Sequence, residues 1–334
     1  MAIPIGVLGA GSFGTCLATL CARQHDVRIW ARDPELADAI NKQRRNPVYL
    51  SDIEIPDGVT ATADLAEALE DRELVICAVP SHGVRDVMTR AAPHLAEQAI
   101  IVSTVKGLEV GSCLRIDEIL EEVLDPVHHP RLVFLSGPSF AREVAERRPT
   151  AVTLACREEA YAISVQESIS SPWMRCYSTT DVVGVELGGA LKNVIAIAIG
   201  VCDGLDIGQN ARAGVMTRGL REITRLGVQL GADPLTFLGL AGMGDLVLTC
   251  TGDLSRNRRV GLELARGRRL DDITAEMNEV AEGIRTTYAA CELGTRHGVD
   301  MPIAQTVRSL LDGEIRAEEI VSQIMRRQLR SEYE

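Results

Sequence analysis

Short β-branched apolar runs alternate with longer amphipathic stretches through the first half of the chain. The runs Ile3 to Leu8, Val27 to Trp30, Val59 to Ala61, Leu74 to Val79, Ala99 to Ser103, Leu132 to Leu135, Ala151 to Ala155 and Met174 to Tyr177 are apolar enough for strands covered on both faces, and most gaps between them carry helical periodicity. This alternation predicts an α/β layer, a doubly wound parallel sheet crossed by helices. The strand pattern stops near Ser178. Val185, Leu187, Leu191, Val194, Ile195 and Ile199 then begin a strongly apolar helix, and amphipathic segments follow to the end. The uncharged stretch Asn193 to Cys202 is shorter than the ~20 residues of a membrane span and reads as a buried helix. The expectation is two closely packed domains, 1–180 and an all-helical 181–334, with a cleft between them.

Composition supports this reading and narrows it. At 334 residues the chain is about twice a typical ~150-residue domain. With 46% hydrophobic and 25% charged residues it is an ordinary globular sequence, which excludes disorder and collagen-like repeats. A net charge of −12 provides no overall field for nucleic acid or anionic lipid, so an anionic ligand needs a local basic site. None of the nine cysteines is spaced as Cys-x-x-Cys, which argues for a reducing cytoplasm rather than a disulfide framework or zinc site. His128 and His129 precede Pro130 without an accompanying ligand set and read as a turn; no metal is expected. Met1 to Ala22 is uncharged, but it lacks a basic segment and is interrupted by Pro4 and several glycines, so no targeting segment is read there.

The strongest chemical signal is Gly9-Ala10-Gly11-Ser12-Phe13-Gly14, directly after the first strand and opening a helix continued by Cys16, Leu17, Leu20 and Cys21. In that context Gly9 suits the tight turn, Gly11 the close approach of backbone to a pyrophosphate, and Gly14 the packing of helix on strand. A Rossmann-like dinucleotide site follows. The second strand ends in Ala31 and Arg32, where an NAD-specific site usually presents an acid; Asp33-Pro34 looks instead like a helix cap. Arg32 can pair with a 2′-phosphate, which favours NADP over NAD, although an arginine stacked on adenine would suit either.

Ligands of such sheets lie beyond the carboxyl ends of the strands. Three segments qualify there: Val79-Pro80-Ser81-His82, Ser103 to Glu109 with Lys106, and Ser136-Gly137-Pro138-Ser139-Phe140-Ala141. In the helical half, Lys192 and Asn193 interrupt the most apolar helix. Desolvation of Lys192 would lower its pKa, as proton exchange with an alcohol or ketone requires; a purely structural pairing with Glu186 or Asp245 is the competing reading. Ser255-Arg256-Asn257-Arg258-Arg259, ahead of a helix expected over Val260 to Ala265, resembles a phosphate site.

Together with Lys106-Gly107-Leu108-Glu109, Gly188 to Asn193, Gly244-Asp245-Leu246 and Val280-Ala281-Glu282-Gly283, these motifs make the chain resemble, end to end, the bacterial-type NAD(P)-dependent glycerol-3-phosphate dehydrogenases. The resemblance implies reduction of dihydroxyacetone phosphate to sn-glycerol 3-phosphate for phospholipid synthesis, with Lys192 as proton donor and acceptor. It places Lys106, Gly137, Ser139, Asp245, Ser255, Arg256 and Asn257 around the substrate, with Asp245 and Lys106 assisting Lys192. It places Ser12, Phe13, Arg32, Tyr49, Lys106, Ala141, Arg256, Val280 and Glu282 at the nucleotide. Neither membrane insertion nor nucleic-acid binding is implied, and a homodimer is expected from base rates. The competing readings are another two-domain reductase and a non-catalytic dinucleotide sensor.

Overall fold

The computed structural model describes residues 2–277, 279–320 and 331; the remainder of the expected second domain, 321–330 and 332–334, lies outside the described residues. Eight strands form one sheet: β1 (Pro4–Leu8), β2 (Asp26–Trp30), β3 (Val59–Thr62), β4 (Leu74–Cys77), β5 (Ile100–Ser103), β6 (Leu132–Ser136), β7 (Thr150–Ala155) and β8 (Met174–Thr179). Each coincides with one of the apolar runs. Their spatial order is β3-β2-β1-β4-β5-β6-β7-β8. The chain therefore winds outward in one direction from β1, returns, and winds outward in the other from β4. The order reverses between β1 and β4, the switch point beyond whose strand ends ligands of such sheets bind.

The first six strands run parallel, and β4, flanked by β1 and β5, is buried along its whole length. It stops at Cys77, two residues short of the expected Val79, because the chain lifts away toward Pro80; Ala78 N still donates to Leu8 O at 2.9 Å. A second departure from expectation is β7, which pairs antiparallel with β6 (Phe134 opposite Ala155), while β8 runs parallel to β7. The connection from β6 holds only the five-residue helix Ala141–Ala145. About 7.5 Å of helix cannot carry the chain back along a strand more than twice as long, so it re-enters the sheet from the end at which it left.

After Thr179 the described chain is helical. Asp181 begins this half by accepting from Gly184 N at 2.9 Å, capping the 23-residue helix Val182–Gly204. Helices Gln209–Gln229, Arg256–Ala265, Glu282–Arg296 and Pro302–Leu311 surround it. Helix Arg256–Ala265 approaches it so closely that a Cβ on Gly261 would lie 2.0 Å from Ile197 O, so this crossing requires glycine. Among the described residues the Val182–Gly204 helix alone is long and apolar enough to cross a bilayer, but 89% of its most apolar window is buried inside the protein. It is the core of the helical half.

Candidate active site

The nucleotide loop is shaped by its backbone. Gly9 leaves β1 at φ +111°, in the left-handed region, and a Cβ there would press on Ala78 O at the end of β4. A Cβ on Gly14 would sit 1.9 Å from Gly9 O, so helix and strand can meet only with glycine. The helix Ser12–Cys21 begins at Gly11 with no side chain capping its first N–H groups, and the space above Gly11 is open. Uncapped donors, positive helix dipole and clear approach suit the pyrophosphate of a dinucleotide. Asn46 was not singled out by sequence. Fully buried, it donates to Ala10 O at 2.9 Å and Thr15 Oγ1 at 2.8 Å, and its Oδ1 accepts from Val48 N and Tyr49 N. It fastens the 46–49 segment, with half-buried Tyr49, to the glycine loop.

Asp33 caps the helix Pro34–Gln43 by accepting from Glu35 N at 3.0 Å, as the Asp-Pro pair suggested. Arg32 is exposed beside it, and no hydrogen bond or ion pair among the described residues engages its guanidinium. Phe13 is half-buried against the sheet core, as is Ala141 at the start of its short helix.

Across the crevice, both halves of the chain converge on one carboxylate. Asp245 is 1% exposed and follows a π-helical turn at Leu240–Gly244, a local widening of the helix that often marks functional positions. Its Oδ2 accepts from Lys106 Nζ at 2.8 Å, and its Oδ1 from Lys192 Nζ in a close contact. Lys106 also donates to Gly137 O at 2.9 Å, an oxygen shared with Ser139 Oγ at the same distance. Lys192 also donates to Thr249 Oγ1 at 2.7 Å, one turn beyond Asp245.

Burial disfavours the Lys192 ammonium and is the largest influence on it; Asp245 opposes that effect, Lys106 adds to it, and the result is a pKa lowered to about 8. Burial also works against charge on Asp245, but Lys106 and Lys192 together outweigh it and hold the carboxyl below the ordinary range. The site therefore contains an amine poised near neutrality beside a firmly ionised acid.

Beyond this centre the chain is tied by amides. Asn193 donates to Lys106 O at 3.2 Å and accepts from Asn257 Nδ2 at 2.8 Å; Asn257 Oδ1 accepts from Gly283 N at 2.9 Å. Ser255, 4% exposed, is the helix cap and accepts from Arg258 N at 3.2 Å. The helix begins at Arg256, four residues earlier than expected, and this separates the arginines. Helical spacing turns Arg258 inward to Asp203 at 2.6 Å, away from the cleft. Arg256 is half-exposed; its Nη1 donates to Val280 O at 2.9 Å and pairs with Glu279 at 3.2 Å. Glu279 also accepts from Ser12 Oγ in a close contact, while Glu282 accepts from Ser81 N at 2.9 Å and from its hydroxyl. Segment 279–282 thus bridges the nucleotide loop and the helical half. Among the described residues no group of three His, Cys, Asp or Glu side chains is placed to hold a metal, and all nine cysteines are buried thiols.

Two family models match the chain: the NAD-dependent glycerol-3-phosphate dehydrogenase N-terminus over residues 4–162 and the corresponding C-terminus over 181–322. A glycerol-3-phosphate dehydrogenase [NAD(P)+] of Geobacter sp. (strain M21) is 51% identical over 99% of both chains, and one of Citrifermentans bemidjiense is 52% identical over the same shares. The crystal structure of glycerol-3-phosphate dehydrogenase from Coxiella burnetii superposes with a TM-score of 0.92 at 36% identity, covering 98% of this chain and 99% of the other. With both halves matched and relatives about 50% identical end to end, the chain belongs to the NAD-dependent glycerol-3-phosphate dehydrogenase family.

Proposed function

We propose that this enzyme interconverts dihydroxyacetone phosphate and sn-glycerol 3-phosphate with NAD(P)H, supplying the glycerol backbone of phospholipids from the cytoplasm. One observation carries the reading: a buried aspartate holds a lysine from each half of the chain, and burial brings one of them to a pKa of about 8. Such a group can both give and take a proton near neutral pH.

When bound, the reduced nicotinamide supplies the hydride. The first turn of helix Ser12–Cys21 holds the pyrophosphate, with Phe13, Tyr49, Ala141, Val280 and Glu282 around the nucleotide. Exposed Arg32, at the end of β2, reaches the 2′-phosphate and favours NADP. Negative charge developing on the ketone oxygen is stabilised by the Lys192 ammonium, which gives up its proton to complete the alcohol; in the reverse direction the neutral amine removes it. Asp245 aims Lys192 and Lys106, and Lys106 adds positive potential beside Gly137 and Ser139. Arg256 binds the substrate phosphate with its planar fork, and Ser255 and Asn257, in the same first turn, complete that end of the site. Domains 1–180 and 181–334 meet along this line, and the assembly is a homodimer. Loss of reduced-nicotinamide absorbance on addition of dihydroxyacetone phosphate tests the activity. A protein that binds the nucleotide but leaves it unoxidised with this substrate is not this enzyme.

A further inference from the structure

A doubly charged pyrophosphate favours neutral or basic surroundings, yet Glu279 places a carboxylate on the nucleotide loop itself. Its carboxylate accepts from the hydroxyl of Ser12, the first residue of the helix whose uncapped N–H groups face the anion site, and its other oxygen lies 3.2 Å from Arg256 Nη1. Both partners have work elsewhere under the proposed function: Ser12 at the nucleotide and Arg256 at the nucleotide and substrate phosphate. A carboxylate and a pyrophosphate contending for the same donors repel each other, and the repulsion grows as water is excluded between them.

We propose that Glu279 is a resident counter-anion of the dinucleotide site: its carboxylate occupies Ser12 and Arg256 while the site is free, and the pyrophosphate displaces it on binding. Glu279 thereby sets cofactor affinity and keeps Arg256 paired until the nucleotide arrives. Displacement requires movement of Glu279 alone from these two partners, because neighbouring Glu282 is held separately by Ser81 and the backbone of Val280 by Arg256. The effect is common to NADH and NADPH, since both carry the pyrophosphate, whereas Arg32 separates the two.

The inference rests on the nucleotide reading above, and E279Q tests it because glutamine keeps the shape and the acceptor for Ser12 while losing the charge. Titrations of wild type and variant with NADH, NADPH and inorganic pyrophosphate should show dissociation constants lower by about five- to tenfold in E279Q for all three, the size of one solvent-screened charge contact. The KM for dihydroxyacetone phosphate at saturating cofactor should stay within about twofold, because by then the carboxylate has already left Arg256. E279D, which keeps the charge, should bind nearer wild type than E279Q does. A role confined to holding the two halves together predicts the opposite: a lower melting temperature without cofactor and no gain in nucleotide affinity. Unchanged or weaker binding of the nucleotides to E279Q, with normal wild-type binding, overturns this proposal alone. A wild type that binds neither nucleotide overturns the functional reading and this proposal with it.

Discussion

The nucleotide loop and the chemical centre, which face each other across one crevice, are built in opposite ways. The loop is six consecutive residues whose action lies in the backbone: a positive φ at Gly9, a missing Cβ at Gly14 and N–H groups at a helix start. The centre rests on side-chain charges, brought from 53 and 139 residues apart onto Asp245. A backbone site depends on glycine being glycine and tolerates variation in side chains that only line it. A side-chain centre depends on charge and burial, and can lose its chemistry while keeping its shape.

Lys192→Met should expose that difference most strongly. The shape is nearly kept and the proton is gone, so kcat should fall by at least ~10² with nucleotide affinity little changed, measured by turnover and by cofactor titration. Wild-type reduction should decline as pH rises through about 8, where the Lys192 ammonium is lost, and oxidation should rise through the same point. In Asp245→Asn the charge that opposes desolvation is removed, so both limbs should move to lower pH. A pH profile unchanged in either variant would detach Lys192 from the proton.

Gly14→Ala is the backbone counterpart. The added carbon would fall 1.9 Å from Gly9 O, and the helix must shift to accept it. Nucleotide affinity should drop by more than about tenfold, whereas the turnover of whatever complex does form should be less affected. A fall in kcat with intact affinity would contradict the separation of the two regions.

Arg256→Ala acts where the regions touch. Charged hydrogen bonds of about 1.5–3 kcal/mol predict a loss of roughly 10- to 100-fold in kcat/KM for dihydroxyacetone phosphate, only partly restored by lysine, which lacks the fork. Dihydroxyacetone without the phosphate should be a poor substrate and should lose far less. Equal losses would move the phosphate elsewhere.

The narrowest expected effect is that of Arg32→Ala, confined to the choice between the two cofactors. Exposed to solvent, Arg32 should contribute at most about 1–3 kcal/mol to NADPH and nothing to NADH, so the ratio of their KM values should approach one in the variant. A wild-type ratio already at one would remove the basis for NADP preference.

The same contrast governs what could be read from the sequence. The strands were legible because most are short runs rich in apolar residues, with β8 alternating instead, and the glycine loop because its six residues are adjacent. The reversed direction of β7 was not legible, since apolarity is the same in either direction and only the short β6–β7 connection decides it. Lys192 stood out as a charge in an apolar helix, but Asp245 was one of two possible partners until the fold placed it. Asn46 and Glu279 left no signal: an isolated asparagine in a polar segment and a glutamate in an acidic chain acquire meaning only through what they touch. The arginine cluster was legible as charge but not as geometry, because a four-residue error in the helix start conceals that Arg258 turns inward to Asp203.

The helix Val182–Gly204 has a consequence for how the enzyme is made. It leaves the ribosome before Arg256–Ala265 and Glu282–Arg296, the helices that cover it, have been synthesised. For that interval the growing chain carries a 23-residue apolar helix without its partners, the kind of exposed surface that recruits holdase chaperones and seeds aggregation. Nascent chains stalled once Gly204 has emerged from the ribosome should be captured by such chaperones and released once residue 296 has emerged, so biogenesis, more than equilibrium stability, should limit the yield of chains shortened at the carboxyl end.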